Sequence, residues 1–134
     1  MLCVQSEAMA PLVRAFDSGA LDTTAQPGPG TIAFGLNVPA GVGHFRVLEI
    51  VRASGGVCVS VSEAEIAAEF GREWRRTHGW LSPEGAACLA ALPQLLDLGM
   101  VKRGERVVAV NTGSAEKYLP ALRHLLTDSI SAMH

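Results

Sequence analysis

Three short apolar runs, residues 2–5, 57–61 and 107–110, do most to limit what this chain can fold into. Each is a continuous run, not an alternation of apolar and polar residues. That is the pattern of a strand buried on both faces, as in parallel sheets. The runs start about fifty residues apart, with helical patterns between them. Such intervals have room for the crossovers that parallel pairing requires. The chain has 134 residues, enough for one domain around one core. The expectation is therefore a single α/β unit whose three strands are parallel.

The intervals read as helices with recognisable ends. A first helix is expected over residues 7–17, with Gly19 suited to the left-handed position after it. A breaker-rich loop follows at Thr23-Thr24-Ala25-Gln26-Pro27-Gly28-Pro29-Gly30. A second helix is expected over residues 44–53. Ser62-Glu63-Ala64-Glu65 fits a capping box, with the cap serine three residues ahead of a glutamate. Ile66, Phe70 and Trp74 recur every four residues behind it as a buried stripe, and His78-Gly79 mark the end. Ser82-Pro83-Glu84 opens a fourth helix, which Pro93 should kink or split before Gly99 stops it. A last helix is expected over residues 116–126, and the tail 127–134 should fray.

Several kinds of chemistry are disfavoured at once. Net charge is −2, so there is no basic footprint for nucleic acid. No apolar run approaches the roughly 20 residues that span a bilayer. The first residues lack the pattern of a signal peptide. Cys3, Cys58 and Cys88 are odd in number and widely spaced, which suits buried thiols in a reducing, cytoplasmic setting. His44, His78, His124 and His134 have no His or Cys three or four residues away, so no metal site is expected. Gly28-Pro29-Gly30 and Gly41-Val42-Gly43 match no phosphate-binding fingerprint and read as loop glycines. Arg72, Arg75 and Arg76 alternate with Glu65, Glu69 and Glu73 and read as a solvated helix face.

Two places stand out against this background. Asn111-Thr112-Gly113-Ser114 lies at the carboxyl end of the third expected strand, where ligands bind in open parallel sheets. Its two hydroxyls flank a glycine and can meet a heteroaromatic nitrogen or a phosphate. Pro83-Glu84-Gly85-Ala86-Ala87 sets a carboxylate at a helix start, with small residues behind it that allow close packing on a sheet or a flat ligand.

The order of several segments adds a resemblance. They are Val4-Gln5-Ser6-Glu7 with Pro11-Leu12-Val13-Arg14-Ala15-Phe16, Gly30-Thr31-Ile32-Ala33-Phe34-Gly35-Leu36, Arg52-Ala53-Ser54-Gly55-Gly56, Ser62-Glu63-Ala64-Glu65-Ile66, Pro83-Glu84-Gly85-Ala86-Ala87 and Val107-Val108-Ala109-Val110-Asn111-Thr112-Gly113. Together they resemble the C-terminal part of the threonine synthases, in the tryptophan-synthase-β-like, fold-type II family of pyridoxal-phosphate enzymes.

The resemblance implies a parallel-sheet, three-layer αβα domain, here truncated on its N-terminal side. It implies pyridoxal 5'-phosphate as cofactor of the complete enzyme and a lyase reaction, O-phosphohomoserine and water to threonine and phosphate. A serine/threonine dehydratase-like or cysteate synthase-like relative is the first alternative. A non-catalytic protein that pairs with an N-terminal half or with itself is the second. By resemblance Thr112 is the neutral hydroxyl facing the pyridine nitrogen, Gly113 gives close approach, Ser114 stands behind, and Glu84 and Gly85 lie near the other side of the ring. The family continues Thr-Gly-x-Gly-Leu-Lys-Asp where this chain has Thr112-Gly113-Ser114-Ala115-Glu116-Lys117-Tyr118. Neither Lys102 nor Lys117 matches the Schiff-base position, so no catalytic residue is expected in this chain. The expected partners are the missing N-terminal half or a second copy, because three strands alone leave two open sheet edges.

Overall fold

The computed structural model describes residues 1–25 and 27–127. The chain forms strand β1 (Leu2–Ser6), helix α1 (Pro11–Asp17), helix α2 (His44–Ala53), strand β2 (Val57–Val61) and helix α3 (Glu63–Thr77). Helices α4 (Pro83–Ala90), α5 (Leu92–Asp97) and α6 (Leu119–Thr127) follow. Short 3-10 turns lie at Phe34–Leu36 and Ala115–Lys117. The two strands pair in parallel and in continuous register, from Leu2 opposite Val57 to Ser6 opposite Val61.

The period of two along each strand divides the core. Cys3 and Cys58 face one side, where Leu12, Ala15, Leu48 and Val51 of α1 and α2 cover them. Leu2, Val4, Val59 and Val61 face the other side, against Ile66, Phe70, Ala86, Ala87 and Leu95. The layering is helix, sheet, helix, as the α/β reading requires. Phe70 is 1% exposed, and burying a side chain of that size contributes about 1.5–3 kcal/mol.

Local chemistry sets the helix limits. Ser62 Oγ accepts the Glu65 N–H at 3.2 Å, and a Glu65 carboxylate oxygen accepts the Ser62 N–H at 2.8 Å, so the capping box closes. His78 at φ 55° and Gly79 at φ 108° end α3 in left-handed geometry. Pro93 divides the fourth expected helix into α4 and α5, because it lacks an N–H and its ring crowds the preceding turn.

Four expectations need correction. Residues 107–110 form no strand among the described residues and make no backbone hydrogen bond to another segment. The sheet has two strands, not three. An apolar run becomes a strand only beside a partner edge, and none reaches this run. The first helix begins at Pro11, not Glu7, because Ser6 accepts the N–H groups of Ala8 and Met9 and turns the chain there. The last helix is a 3-10 turn followed by α6. The expected fraying of the tail concerns residues that, from 128 onward, lie outside the described residues. The solvated-face reading holds for Arg72, Arg75 and Arg76, which are exposed, but not for Glu69 and Glu73, whose carboxylates are covered by the guanidinium groups of Arg72 and Arg76.

Candidate functional site

Two helix starts converge on the loop of residues 31–36. Glu63 opens α3, where it accepts the Ser6 hydroxyl with one oxygen and the Ile32 N–H at 2.8 Å with the other. Burial alone would raise its pKa. The hydrogen bonds from Ser6, Ile32 and Thr31 outweigh that and hold the carboxyl below its ordinary value.

Glu84 does the equivalent work at the start of α4. Its Oε1 accepts the Gly35 N–H at 2.8 Å and the Tyr118 hydroxyl at 2.6 Å. Burial again pushes upward, and the bonds from Tyr118 and Gly35 bring the net shift below the usual value. Both glutamates also sit in a first helical turn, where the helix dipole favours the anion. Tyr118 responds in the opposite sense: burial and the adjacent carboxylate push its pKa up to about 12. Its ring lies 5.6 Å from that of Phe34, so Tyr118 clasps the loop with both its ring and its hydroxyl. The other Glu84 oxygen, Oε2, is buried and has no hydrogen-bond partner.

Asn111 ties the chain beyond residue 110 to this cluster. Its side-chain oxygen accepts the Ser82 N–H at 3.1 Å and the Ser82 hydroxyl at 2.9 Å, and its amide donates to the Trp80 carbonyl. Gly85 is required by that contact, since a Cβ there would stand 2.6 Å from the Asn111 oxygen. A Cβ added at Gly113 would stand 3.4 Å from the Ser82 Cβ, an ordinary contact distance. Thr112, next to Asn111, is exposed. Ser114 turns away to cap the next turn, accepting the Glu116 N–H at 3.4 Å.

Four of the five residues singled out in the sequence lie around the first turn of α4, in two roles, and Ser114 caps the 115–117 turn instead. Thr112 and Gly113 pass over it at the surface. Glu84 and Gly85 lie beneath, turned to protein partners. Ser82, Asn111, Tyr118 and Gly35 complete the arrangement and were not singled out individually. The signal for Asn111 was its place directly after an apolar run, and for Ser82 its place as a helix cap. Tyr118 carried no signal, because its partners lie 34 and 84 residues back along the chain.

This arrangement has known counterparts. The sequence pattern of the family described as "Pyridoxal-phosphate dependent enzyme" matches residues 1–113. The chain belongs to that family of pyridoxal-phosphate dependent enzymes. Threonine synthase of Methanosarcina acetivorans is 35% identical over 114 residues, which are 84% of this chain and 28% of that protein. Threonine synthase of Methanocaldococcus jannaschii is 30% identical over 117 residues, 87% of this chain and 29% of that protein. Among solved structures, a threonine deaminase of T.th. matches with a TM-score of 0.55 at 27% identity, over 74% of this chain and 34% of that one. The chain therefore spans less than a third of the length of the threonine synthases it matches. No helix among the described residues is long and apolar enough to cross a membrane.

Thr112 carries an exposed neutral hydroxyl on a loop held by Asn111, and the side-chain direction of Gly113 is turned toward Ser82 and Tyr118.

Proposed function

We propose that residues 1–134 act as a single unit, the C-terminal portion of a threonine synthase-like lyase that converts O-phosphohomoserine and water to threonine and phosphate. Its contribution is the pyridine-nitrogen side of the pyridoxal-phosphate site. The observation that supports this reading is the anchored loop: Thr112 is exposed directly after Asn111, whose side chain is bonded to Ser82 and to the Trp80 carbonyl. The cofactor, when bound, supplies an electron sink. Thr112 offers its ring nitrogen a hydroxyl with no formal charge, which leaves that nitrogen largely unprotonated. Gly113 lets the backbone approach, and Ser114 fixes the following turn. Glu84 and Gly85 act beneath, as positioning residues that keep the Thr112 loop and the 31–36 loop in register. A dehydratase-like reaction is the second reading. A structural neighbour at 27% identity supports it, whereas two threonine synthases at 35% and 30% support the first.

The test is a chimera in which this chain replaces the matched segment of the M. acetivorans threonine synthase. Phosphate release from O-phosphohomoserine is expected, with little turnover of serine. Within the chimera, Thr112→Ser should keep kcat within about threefold and Thr112→Val should lower it at least about tenfold. The variants should also differ in the cofactor's absorbance band. Preferred turnover of serine, or equal activity of the two variants, would sink the assignment.

A further inference from the structure

The sheet holds a pair of thiols that the proposed site does not use. Cys3 of β1 and Cys58 of β2 stand directly opposite each other in the parallel register. The rungs beside them, Leu2 with Val57 and Val4 with Val59, are aliphatic. Both thiols are free, and both leave the face of the sheet that Leu12, Leu48 and Val51 cover. Cys58 is buried and Cys3 is partly buried. Cys88, the third free cysteine, belongs to α4, which packs on the opposite face.

Register places the pair within bonding reach. Neighbouring strands lie about 4.7–4.9 Å apart, and a disulfide bridges Cα atoms separated by about 4.4–6.8 Å. A side-chain hydrogen bond already joins the two thiols, and it makes them chemically unequal. Cys58 accepts that bond and has the Arg52 guanidinium nearby, and together these hold its pKa below the ordinary value against the effect of burial. Cys3 is pushed up, first by donating to Cys58 and then by burial. Arg52 is itself fixed, since it donates to the Ala15 carbonyl at 3.1 Å and lies 5.4 Å from the centre of the Phe16 ring. One thiol is therefore suited to carry the negative charge and the other to keep its proton.

We infer that Cys3 and Cys58 are a reversible disulfide site, oxidised by a hydroperoxide and reduced by a dithiol, whose bond fastens β1 to β2. In the first step the Cys58 thiolate attacks one peroxide oxygen and the O–O bond breaks. The other oxygen leaves as water or an alcohol, taking the proton that Cys58 gave up, and Cys58 becomes a sulfenic acid. In the second step the Cys3 sulfur attacks the Cys58 sulfur. The S–S bond forms, the S–O bond breaks, and the hydroxyl leaves as water with the Cys3 proton. The two thiols have then lost two electrons and the peroxide has gained them. A dithiol reverses the change by exchange and becomes a disulfide itself. Neither step involves the proposed cofactor or its reaction. The bond closes residues 3–58 into a ring that contains α1, α2 and the 31–36 loop, so it restricts the unfolded chain.

The test is oxidation of the 134-residue chain with stoichiometric hydrogen peroxide, followed by alkylation of the remaining thiols, intact mass and a peptide map. A mass lower by two hydrogens is expected, with Cys3 and Cys58 in one cross-linked peptide and Cys88 alkylated. The thermal midpoint should rise by at least about 4 °C and return on treatment with dithiothreitol. Cys3→Ser should leave a Cys58 sulfenic acid that dimedone captures, and Cys88→Ser should behave as the unsubstituted chain. The map is read on the unsubstituted chain, so it does not depend on how the variants fold. A bond from Cys88 to either partner, a bond between two chains, or thiols that survive the peroxide unchanged would each overturn the inference. So would a Cys3–Cys58 bond that leaves the midpoint where it was.

Discussion

Residues 57–61 and 107–110 are both short valine-rich runs, Val-Cys-Val-Ser-Val and Val-Val-Ala-Val, and they end in opposite states. The first is β2, with Cys58, Val59 and Val61 buried at 2–3% exposure and five residues in register with β1. The second is exposed and lacks a strand partner among the described residues. The difference is not in propensity, since both are rich in valine. It lies in what stands alongside. β2 has β1 at its edge, α1 and α2 over one face, and α3 and α4 over the other. Residues 107–110 have a helical floor and a slot where an edge should be. Strand formation in this chain is a property of the neighbourhood, and the apolar run only makes the segment ready for it.

The largest expected effect lies on the β2 side. Phe70→Ala removes a ring from beneath Val59 and Val61, and it should destabilise the chain by about 3–5 kcal/mol in urea titration. A loss below about 1 kcal/mol would mean that the side of the sheet against α3 and α4 is not packed as described.

Next in size is Glu63, which ties the carboxyl end of β1 to the 31–36 loop. Glu63→Ala leaves the Ile32 N–H and the Ser6 hydroxyl without their partner and should cost about 1–3 kcal/mol. The sign of its pH effect follows from the same bonds. The folded pKa lies below the ordinary 4.5, so its contribution is complete above 4.5 and is lost as pH falls through the folded value. Stability measured from pH 6 down to pH 3 should fall less steeply in Glu63→Gln. An unchanged slope would remove Glu63 from the acid response.

Smaller again is the cap of α3. Ser62→Ala opens the capping box and should cost about 1 kcal/mol, with a matching fall in thermal midpoint. It acts at the exit of β2 and has no counterpart at the exit of residues 107–110, where Asn111 bonds to another segment.

How much of this was legible in the sequence depends on the range of the interactions. The capping box at Ser62, the split at Pro93 and the stripe of Ile66 and Phe70 are local patterns, and the structure has them where the spacing put them. The parallel sheet and the membership of the family were legible too, because continuous apolar runs and the order of segments survive in a single chain. Residues 107–110 carried a true strand pattern, but a pattern does not report whether a partner edge is present. Glu69 and Glu73 looked solvated because charge spacing does not show which face a helix buries. Of the site, Thr112 and Gly113 were visible as a hydroxyl and a glycine after an apolar run. The clasp of Tyr118 on Glu84 and Phe34 was not, because it joins residues far apart in sequence.

The smallest expected effect is the one that most sharpens the contrast between the two runs. Val108→Asp places a charge on a side chain already 82% exposed, so the isolated chain should change by no more than about 0.5 kcal/mol. The same change at Val59, 3% exposed, buries a carboxylate without a partner and should prevent stable folding. Equal tolerance at both positions would mean that β2 is as loosely held as the second run. Equal intolerance would mean that residues 107–110 are already covered in the isolated chain, by itself or by a second copy, and that no vacant edge exists. Tolerance at 108 alone is the outcome that the exposure of Val108 and the burial of Val59 require.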